Sequence, residues 1–359
     1  MGKGDRLSST AGSSAQRTDY KFRVIDHALT ALGSLAMKTP MLTCLRLLAL
    51  SSIICVLGCR HQKDQLIELE GIGSLDISHS PPLALWDLAW SPDGHQVATR
   101  AYTEWPNSTV TIIDLQTGQT RTIYESDGDY FLGPEWSPDG QSLIFMAPTE
   151  VVPHSGGVVV VDAQTGQITH NLGFGGYATW TTDPELVIVL GFSSSCEEEV
   201  PIDEYNLATG DTRTLGATGS CFADTADSLD ASSDGKLVVP NTTGTSNQIL
   251  NIADGAKLGM LVPFRGDTVW SPSGTMLAFI ASSGRNQPRD NQIMLASANG
   301  MCLSDPLALE NELYSLDWSP DGNRLIFSAR DKRNRLYFLD FTKGVGKELM
   351  DSFQANCGN

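Results

Sequence analysis

Reactive side chains in recognisable arrangements are scarce in this chain of 359 residues. Only six histidines occur and none lies beyond His170, so the second half of the chain cannot supply a ring of histidine ligands. No Gly-x-Ser-x-Gly is present, which excludes the nucleophile elbow of an α/β-hydrolase within these residues. No Cys-x-x-Cys pair occurs either. The sequence therefore predicts no catalytic residue, no metal site and no cofactor.

Basic residues are also few. The chain has 24 Lys and Arg against 42 Asp and Glu, for a net charge of −18. Residues 1–58 carry seven basic and three acidic side chains, so they are at +4 and the remainder is at −22. A surface this acidic repels phosphate backbones, and nucleic acid is not expected as a partner.

The one sustained apolar run is short and lies near the beginning of the chain. Residues 47–57 are eleven apolar or small residues, too few to span a bilayer comfortably. Lys38 and Arg46 precede the run, and Met37 offers a second start. This order of a basic region and a short apolar region is typical of a secretory signal peptide that begins at Met37. Residues 1–36 are then predicted to be a non-functional extension.

The end of this run resembles the lipobox of bacterial lipoproteins. It reads Val56-Leu57-Gly58-Cys59, and the resemblance implies that Cys59 is acylated and becomes the N-terminus, with 37–58 as the signal peptide. Several acyl chains would make membrane anchoring stable. The alternatives are an ordinary secretory signal or a marginal membrane helix in which Cys59 is incidental. Residues 59–82 are predicted to be a tether, with Leu66–Leu69 as a candidate closing strand.

One five-residue pattern recurs through the rest of the chain. It is Trp-Ser-Pro-Asp-Gly in three copies, Trp-Ser-Pro-Ser-Gly in a fourth and a degraded form in two more, and the copies begin at Trp90, Trp136, Trp180, Ala231, Trp270 and Trp318. The steps between them are 39 to 51 residues, a period that indicates a repeat architecture. Ser-Pro-x-Gly favours a type I turn, and apolar runs stand on both sides of it. Each copy therefore predicts a hairpin whose aromatic residue packs in a core.

Each repeat contains enough residues for four short antiparallel strands. A second turn such as Gln116-Thr-Gly-Gln119 follows the third run, and the fourth run closes the unit. Four strands per ~45 residues predict an all-β, six-bladed β-propeller. The blades are predicted at about 83–125, 130–172, 176–216, 225–262, 266–307 and 313–350, followed by a tail at 351–359. Lys347–Met350 is predicted to be the last strand.

The repeat resembles the WD40-like repeats of TolB-type propellers. The resemblance rests on the Trp-Ser-Pro-Asp-Gly turn, the Ile/Leu-Ala/Ile-Phe strand after it and a third strand that ends in Asp-x-x-Thr-Gly. It covers residues 83–350 and implies the propeller fold. It implies little about function, because this repeat occurs in many unrelated proteins.

Strand alternation predicts that the longer, more varied connections lie on one face of the ring. These connections join second to third strands and one blade to the next, and they hold acidic residues in blades 1 to 3, basic residues in blades 5 and 6, and aromatics. The predicted binding face comprises Glu104, Trp105, Tyr130, Phe131, Glu197, Glu198, Glu199, Arg285, Arg289, Arg330, Lys332 and Arg333. Aromatic and Arg anchors favour protein docking. The alternative is that the charges keep the loops solvated and the aromatics cap the blades.

Cysteine usage fits an oxidising compartment. Cys196 and Cys221 fall in adjacent loops of the same predicted face, and a disulfide between them is expected if their Cα atoms lie within ~7 Å. Pairing between Cys302 and Cys357 is left open.

These features favour a lipid-anchored, non-catalytic scaffold that binds protein partners in the bacterial cell envelope. It would face the periplasm or the exterior, as a monomer. Two alternatives remain. One is a propeller enzyme, a hydrolase or lyase acting on peptide or carbohydrate with carboxylates at the central funnel. The other is a purely structural spacer, or a relic of a larger peptidase.

Overall fold

The computed structural model describes residues 69–78, 84–104, 107–126, 132–148, 156–173, 176–191, 199–219, 229–239, 247–261, 268–282, 290–330 and 335–358. The chain divides into two units, 1–62 and 63–359, and every described residue belongs to the second. The predicted extension, signal peptide and Cys59 therefore lie outside the described residues. The described part forms six antiparallel sheets of four strands each. This confirms the predicted six-bladed β-propeller.

The sheets follow one another along the chain. Blade 1 contains β2 (Ala84–Trp90), β3 (Gln96–Glu104), β4 (Asn107–Asp114) and β5 (Thr120–Ser126). Blade 2 contains β6 (Leu132–Trp136), β7 (Ser142–Ala147), β8 (Gly157–Asp162) and β9 (Ile168–Asn171). Blade 3 contains β10 (Gly176–Trp180), β11 (Leu186–Gly191), β12 (Glu199–Asn206) and β13 (Thr212–Gly219).

The second half repeats this order. Blade 4 contains β14 (Asp230–Ala231), β15 (Lys236–Val239), β16 (Asn247–Asn251) and β17 (Lys257–Leu261). Blade 5 contains β18 (Thr268–Trp270), β19 (Met276–Ser282), β20 (Asp290–Ser297) and β21 (Leu307–Ala308). Blade 6 contains β22 (Leu313–Trp318), β23 (Arg324–Ala329), β24 (Arg335–Asp340) and, at its outer edge, β1 (Ile72–Asp76).

The first strands of neighbouring blades pack against one another and form the inner ring. β2 contacts both β6 of blade 2 and β22 of blade 6, so the ring closes. The two middle strands of a blade are its most buried part. In blade 2, for example, β7 and β8 are apolar throughout their centres and almost fully buried. Because the middle strands are buried on both faces, their sequences are continuous runs of apolar residues.

The closing strand comes from the beginning of the domain. β1 pairs antiparallel with β24, with Ile72 opposite Leu339 and Asp76 opposite Arg335. The prediction of Lys347–Met350 as the last strand of blade 6 is wrong, because β1 occupies that edge and residues Gly344–Cys357 form a helix, α1. Residues 66–68 of the other candidate lie outside the described part, and Leu69 precedes β1.

Helix α1 is fixed at both ends. The backbone N–H of Val345 donates to the carbonyl of Glu70 at 2.8 Å, just before β1. Val345, Leu349 and Phe353, at helical spacing, face the core of blades 5 and 6. A disulfide between Cys302 and Cys357 ties the end of α1 to blade 5, which answers the pairing that the sequence left open. Across the described ranges, α1 included, helices fall short of the length and apolarity needed to cross a bilayer.

The repeated turn forms as its residues predict. In blade 1 the Ser91 hydroxyl donates to Asp93 Oδ1 at 2.6 Å, and the backbone N–H of Gly94 donates to the carbonyl of Ser91 at 2.9 Å. Gly94 has a φ of 77°, which a residue with a Cβ rarely adopts. The Ser91 hydrogen bond is the main cause of the lowered pKa of Asp93. The divergent copy in blade 4 keeps the same bond between Ser232 and Asp234.

The repeat tryptophans lie between blades. Trp90, Trp180, Trp270 and Trp318 are buried, and Trp136 is half-buried. The indole N–H of Trp136 donates to the carbonyl of Ala89 at 3.1 Å, and that of Trp180 to the carbonyl of Glu135 at 3.2 Å. Each bond runs to the preceding blade, so these two side chains fasten neighbouring sheets.

Candidate functional site

The connections of the propeller lie on two opposite faces. Within each blade, turns join the first strand to the second and the third to the fourth, and we call the face that carries them the turn face. Because the strands are antiparallel, the other connections meet on the opposite face, here called the loop face. The loop face is the one that the sequence favoured for binding.

Most of the predicted binding residues fall where side chains are not described. Trp105, Tyr130, Phe131, Glu197, Glu198, Arg285, Arg289, Lys332 and Arg333 lie outside the described residues, as do Cys196 and Cys221. Glu104 ends β3 and Glu199 begins β12, but their side chains also lie outside the described part. Arg330 is described. It follows β23 and is exposed at the loop face.

A cluster of aromatic and charged side chains lies near the loop face where blade 6 meets blade 1. We call it the seam cluster, and it comprises Trp86, Asp87, Arg100, Tyr102 and Tyr314. The rings of Trp86 and Tyr314 stack with centroids 4.3 Å apart and planes 21° from parallel. All three aromatic side chains are only half-buried. Trp, Tyr and Arg are the residue types that dominate binding hot spots.

Arg100 is held in the cluster by a carboxylate and two rings. Its Nε lies 2.7 Å from Asp87 Oδ2, and the two side chains are only 13% and 25% exposed. Its guanidinium carbon lies 5.4 Å from the Tyr102 ring centroid and 6.0 Å from that of Trp86. Contacts of this kind fix a guanidinium in place before any ligand arrives. The cluster therefore presents a pre-oriented cation beside stacked rings.

Asp87 adopts a backbone conformation that non-glycine residues seldom have. Its φ is 51°, and no other described non-glycine residue has a positive φ. The residue is the extra one of a β-bulge, since the β2–β3 register shifts between Trp86 and Leu88. Bulges and left-handed residues occur often at binding sites, where they redirect a side chain. Here the bulge allows Asp87 to meet Arg100.

The inner strands on either side are irregular at the same level. The β22–β23 register shifts between Leu313 and Ser315, which leaves Tyr314 out of the ladder and stacked on Trp86. The β6–β7 register shifts between Leu132 and Glu135. A Cβ on Gly133 would lie 2.2 Å from the Cβ of Asp87, so glycine is required for this close approach. Three consecutive blades thus shape the seam cluster.

A second arginine lies beside Tyr314. Arg330 Nη1 donates to Glu312 Oε2 at 3.0 Å, and the Arg330 side chain is 73% exposed. Burial raises the pKa of Tyr314, the Arg330 charge lowers it and Glu312 raises it. The Arg330–Glu312 pair is exposed, and such pairs contribute at most about 1 kcal/mol. Arg330 can therefore exchange Glu312 for a partner group at little cost.

A carboxylate also lies directly before the repeat motif on the inner strand of every second blade. Glu135, Asp230 and Asp317 directly precede the repeat motif in blades 2, 4 and 6. Asp317 Oδ2 accepts the backbone N–H of Trp90 at 2.6 Å, and Asp230 Oδ2 accepts that of Trp270 at 2.6 Å. Each bond crosses to the next blade. These carboxylates therefore have a structural role at alternate blade junctions.

Glu135 continues this pattern between blades 2 and 3. Burial raises the pKa of its carboxyl well above the ordinary range, and the negative charges of Asp230 and Asp317 raise it further. Hydrogen bonds from the Thr179 hydroxyl and the backbone N–H of Trp180 lower the pKa of the Glu135 carboxyl. Within the described residues, no group of three or more His, Cys, Asp or Glu side chains is arranged to hold a metal ion.

Sequence reasoning selected the loop face but missed the seam cluster. One signal was available, because Asp87 is the one charged residue of β2 and Arg100 is the one charged residue of β3 before its terminal Glu104. Their pairing depends on the bulge at Asp87, which the strand pattern does not reveal. Tyr314 is 228 residues from Trp86 and meets it only because the ring closes.

No protein-family model matches the sequence. A curated relative, dipeptidyl-peptidase 5 of Porphyromonas gingivalis, is 29% identical over 164 residues, which are 41% of this chain and 23% of the relative. The match thus spans less than a quarter of the peptidase.

Among solved structures, the chain is similar to propeller-containing proteins at low identity. TolB from Acinetobacter baumannii is 23% identical with a TM-score of 0.48, over 61% of this chain and 53% of that one. The nidogen/laminin complex is 14% identical with a TM-score of 0.50, over 66% and 85%. Because the identity is this low, the similarity to the nidogen/laminin complex is evidence for the fold alone.

Proposed function

We propose that this chain is a non-catalytic β-propeller that binds a protein partner through its loop face and is held in the bacterial cell envelope by acyl chains on Cys59. The seam cluster is the observation that carries the docking part of this proposal. It combines half-exposed stacked rings with a fixed guanidinium, and Arg330 adds an exposed cation beside them. Aromatic and Arg side chains of this kind act as interface anchors.

The anchoring part rests on the Val56-Leu57-Gly58-Cys59 sequence and its basic and apolar preceding regions. The disulfide between Cys302 and Cys357 supports an oxidising compartment, where such bonds persist. A net charge of about −22 beyond residue 58 argues against nucleic acid. We expect the protein to be a monomer, because its loop face then stays free to bind a partner.

Photo-crosslinking in intact cells tests the docking proposal. A crosslinking amino acid is placed at exposed Glu310 on the loop face or at exposed Gln164 on the turn face. We expect a discrete adduct from position 310 that is lost when Trp86→Ala is added, and no such adduct from position 164. Adducts that are the same from both positions, or unchanged by Trp86→Ala, would contradict docking at the seam cluster.

A second candidate function is a hydrolase or lyase acting at the central funnel. Two observations favour it: the carboxylates Glu135, Asp230 and Asp317 on the inner strands, and the partial similarity to a dipeptidyl-peptidase. Against it, Asp317 already accepts the amides of both Trp90 and Trp318. Turnover of dipeptidyl chromogenic substrates that disappears in Glu135→Gln would establish this alternative, and absence of turnover in the wild type would remove the peptidase form of it.

A further inference from the structure

The outer strands of blades 1 to 4 share one irregularity. In each of them the register with the third strand shifts by one residue, which leaves an extra residue on the outer strand. The extra residues are Ile123 in β5, Thr169 in β9, Leu215 in β13 and Leu258 in β17. Bulges twist an exposed strand and make its edge a poor template for another strand. These four edges are therefore protected against further pairing.

The edge of blade 5 is covered in a different way. Its outer strand, β21, has only two residues, and α1 lies beside the segment that precedes it. The Ser352 hydroxyl accepts the backbone N–H of Asp305 at 2.8 Å, and the side-chain amide of Asn356 donates to the carbonyl of Leu303 at 3.2 Å. Two side chains one helical turn apart thus occupy backbone groups that a further strand would need.

The outer strand of blade 6 has neither form of protection. All five residues of β1 pair with β24 without a register shift. Its one charged side chain, Asp76, is paired with Arg335 of β24. Among the outer strands that the structure describes, β1 therefore combines a regular backbone with an edge that no bulge or helix covers.

The direction of the hydrogen bonds alternates along β1. The carbonyl of Gly71 accepts the N–H of Asp340 at 2.8 Å, so Gly71 and the residues two and four further on face β24. Ile72, Ser74 and Asp76 consequently direct their backbone N–H and C=O groups outward. These groups form the open edge of blade 6.

Both ends of this edge are occupied, whereas its centre is not. The N–H of Ile72 donates to the carbonyl of Leu69 at 3.0 Å, and a Cβ on Gly118 would lie 2.3 Å from the carbonyl oxygen of Asp76. Between these contacts lie the C=O of Ile72, both groups of Ser74 and the N–H of Asp76. No described residue bonds to these four groups, which are enough for a short added strand.

One face of β1 has a gap beside this edge. Gly73 is opposite Phe338, and nothing lies within 4 Å of a Cβ on Gly73. Phe338 is therefore only half-buried, although its ring makes a T-shaped contact with Trp90 of blade 1 at 5.9 Å. Leu75 shares this face and packs in the same cluster. A large apolar side chain opposite Gly73 on an added strand would cover Phe338, because aromatic side chains stabilise edge glycines in this way.

Charge indicates which kind of strand fits. The chain beyond residue 58 has a net charge of −22, so two copies of the propeller repel each other. A segment with basic residues on either side of the pairing region is attracted instead. A foreign segment is therefore favoured over β1 of a second copy.

We infer that the outer edge of β1 binds an extended segment of a partner protein, which adds a fifth strand to blade 6. The segment pairs with Ser74, places a large apolar side chain over Gly73 and carries basic residues on both sides. Main-chain hydrogen bonds supply the affinity and the side chain over Gly73 supplies specificity. This site is at the outer rim of the ring, and it depends neither on docking at the seam cluster nor on acylation of Cys59.

Amide hydrogen exchange in the full-length protein, resolved by nuclear magnetic resonance, tests whether the edge is open. We expect the Ser74 amide to exchange at least ~100-fold faster than the amides of Gly73 and Leu75, which face β24. Equal protection of the three amides would mean that the edge is already covered within the chain, and would overturn the inference. Protection of Ser74 that increases with protein concentration would identify a second copy as the occupant, and would overturn it as well.

A synthetic peptide tests the occupant. The probe is Lys-Thr-Phe-Thr-Val-Thr-Lys with blocked ends, and its Thr amides face β1 when Phe lies opposite Gly73. We expect the probe to slow exchange of the Ser74 amide about tenfold or more at saturation. The same peptide methylated on the Thr nitrogens should have no effect. Methylation on the Phe and Val nitrogens, which face away from β1, is the matched control and should leave the protection intact.

Two substitutions in β1 complete the test. Ser74→Pro removes the outward N–H and Ser74→Ala keeps it, so probe affinity should fall about tenfold in the first variant and less than about twofold in the second. Gly73→Val fills the gap, and it should weaken the Phe probe more than a probe with Ala in place of Phe. Thermal unfolding confirms that each variant is folded. Probe affinity that is unchanged by both Ser74→Pro and Gly73→Val, or by Gly73→Val alone if the proline variant does not fold, overturns strand addition at this edge.

Discussion

The carboxylate of Asp317 in blade 6 accepts the backbone N–H of Trp90 in blade 1 at 2.6 Å, across the junction where the ring closes. The Asp317 side chain also accepts the N–H of Trp318 within its own blade. One side chain thus connects the last inner strand to the first. The same arrangement at Asp230 and Trp270 indicates that it is a recurrent means of joining blades.

Removal of this carboxylate is expected to destabilise the propeller. Asp317→Ala leaves the amide of Trp90 without its acceptor at a buried junction, which costs about 1–3 kcal/mol of unfolding free energy. Chemical denaturation followed by tryptophan fluorescence measures the change. Asp305→Ala, at an exposed position, is the control and is expected to change stability by less than about 0.5 kcal/mol. Equal effects of the two substitutions would contradict the junction role.

The stability contribution of Glu135 is expected to depend on pH. Burial first, then the charges of Asp230 and Asp317, raise the pKa of its carboxyl in the folded state. The folded protein therefore binds this proton more tightly than the unfolded chain does. The stabilisation is complete below the unfolded pKa near 4.5 and is lost as the pH rises through the folded pKa.

Glu135→Gln isolates this effect, because glutamine keeps an acceptor oxygen and has no charge. The variant is expected to gain unfolding free energy relative to the wild type as the pH rises from 4 to 8, by at least ~1 kcal/mol for a shift of one pKa unit. Denaturation curves of both proteins at each pH give the difference between their unfolding free energies. The contributions of groups that titrate identically in the two proteins cancel in this difference. A difference that stays constant with pH would exclude the raised pKa.

Gly133→Ala is expected to disturb the seam cluster selectively. Its Cβ would meet Asp87 at 2.2 Å, so either inner strand must shift and the Asp87–Arg100 pair must move. Overpacking of this kind costs about 1–3 kcal/mol. Gly73→Ala in β1 is the matched control, because nothing lies within 4 Å of a Cβ there. Near-UV circular dichroism should change for the first variant only, through the Trp86 and Tyr314 rings.

The Cys302–Cys357 disulfide is expected to contribute substantially to stability. It closes a segment with a sequence separation of 55, for which chain entropy alone gives about 4 kcal/mol. The double variant Cys302→Ser, Cys357→Ser should lose most of that unfolding free energy, and reduction of the wild type should have the same effect. A loss below about 1 kcal/mol would mean that packing of Leu349 and Phe353 holds α1 without the bond.

The sequence predicted the fold well because its strongest signals are local and repeated. Each Ser-Pro-x-Gly turn and each apolar run depends on neighbours a few residues away, and even the divergent copy at Ala231 keeps its turn. The last strand of blade 6 was predicted wrongly, because Lys347–Met350 and Ile72–Asp76 are both short segments of mixed polarity. Helical spacing of Val345, Leu349 and Phe353 was the signal that distinguished them.

The seam cluster could not be predicted because it depends on register and on distant contacts. A one-residue bulge at Asp87 decides which side chains meet, and strand periodicity alone does not locate such a bulge. The contact between Trp86 and Tyr314 exists only once blades 6 and 1 are adjacent. Charge and aromatic composition indicated the loop face, near which the seam cluster lies, whereas the contacts within the cluster required the structure.

Pairing of β1 with β24 also has a consequence for biosynthesis. Among the described strands, β1 is the first to emerge from the ribosome, and it cannot pair until β24, the last of them, has been synthesised. Until then blade 6 is incomplete and the edge of β1 that later pairs with β24 is open, which is a site for mispairing with other chains. In a protein that is exported before it folds, this delay would favour keeping the nascent chain unfolded until the whole propeller can close.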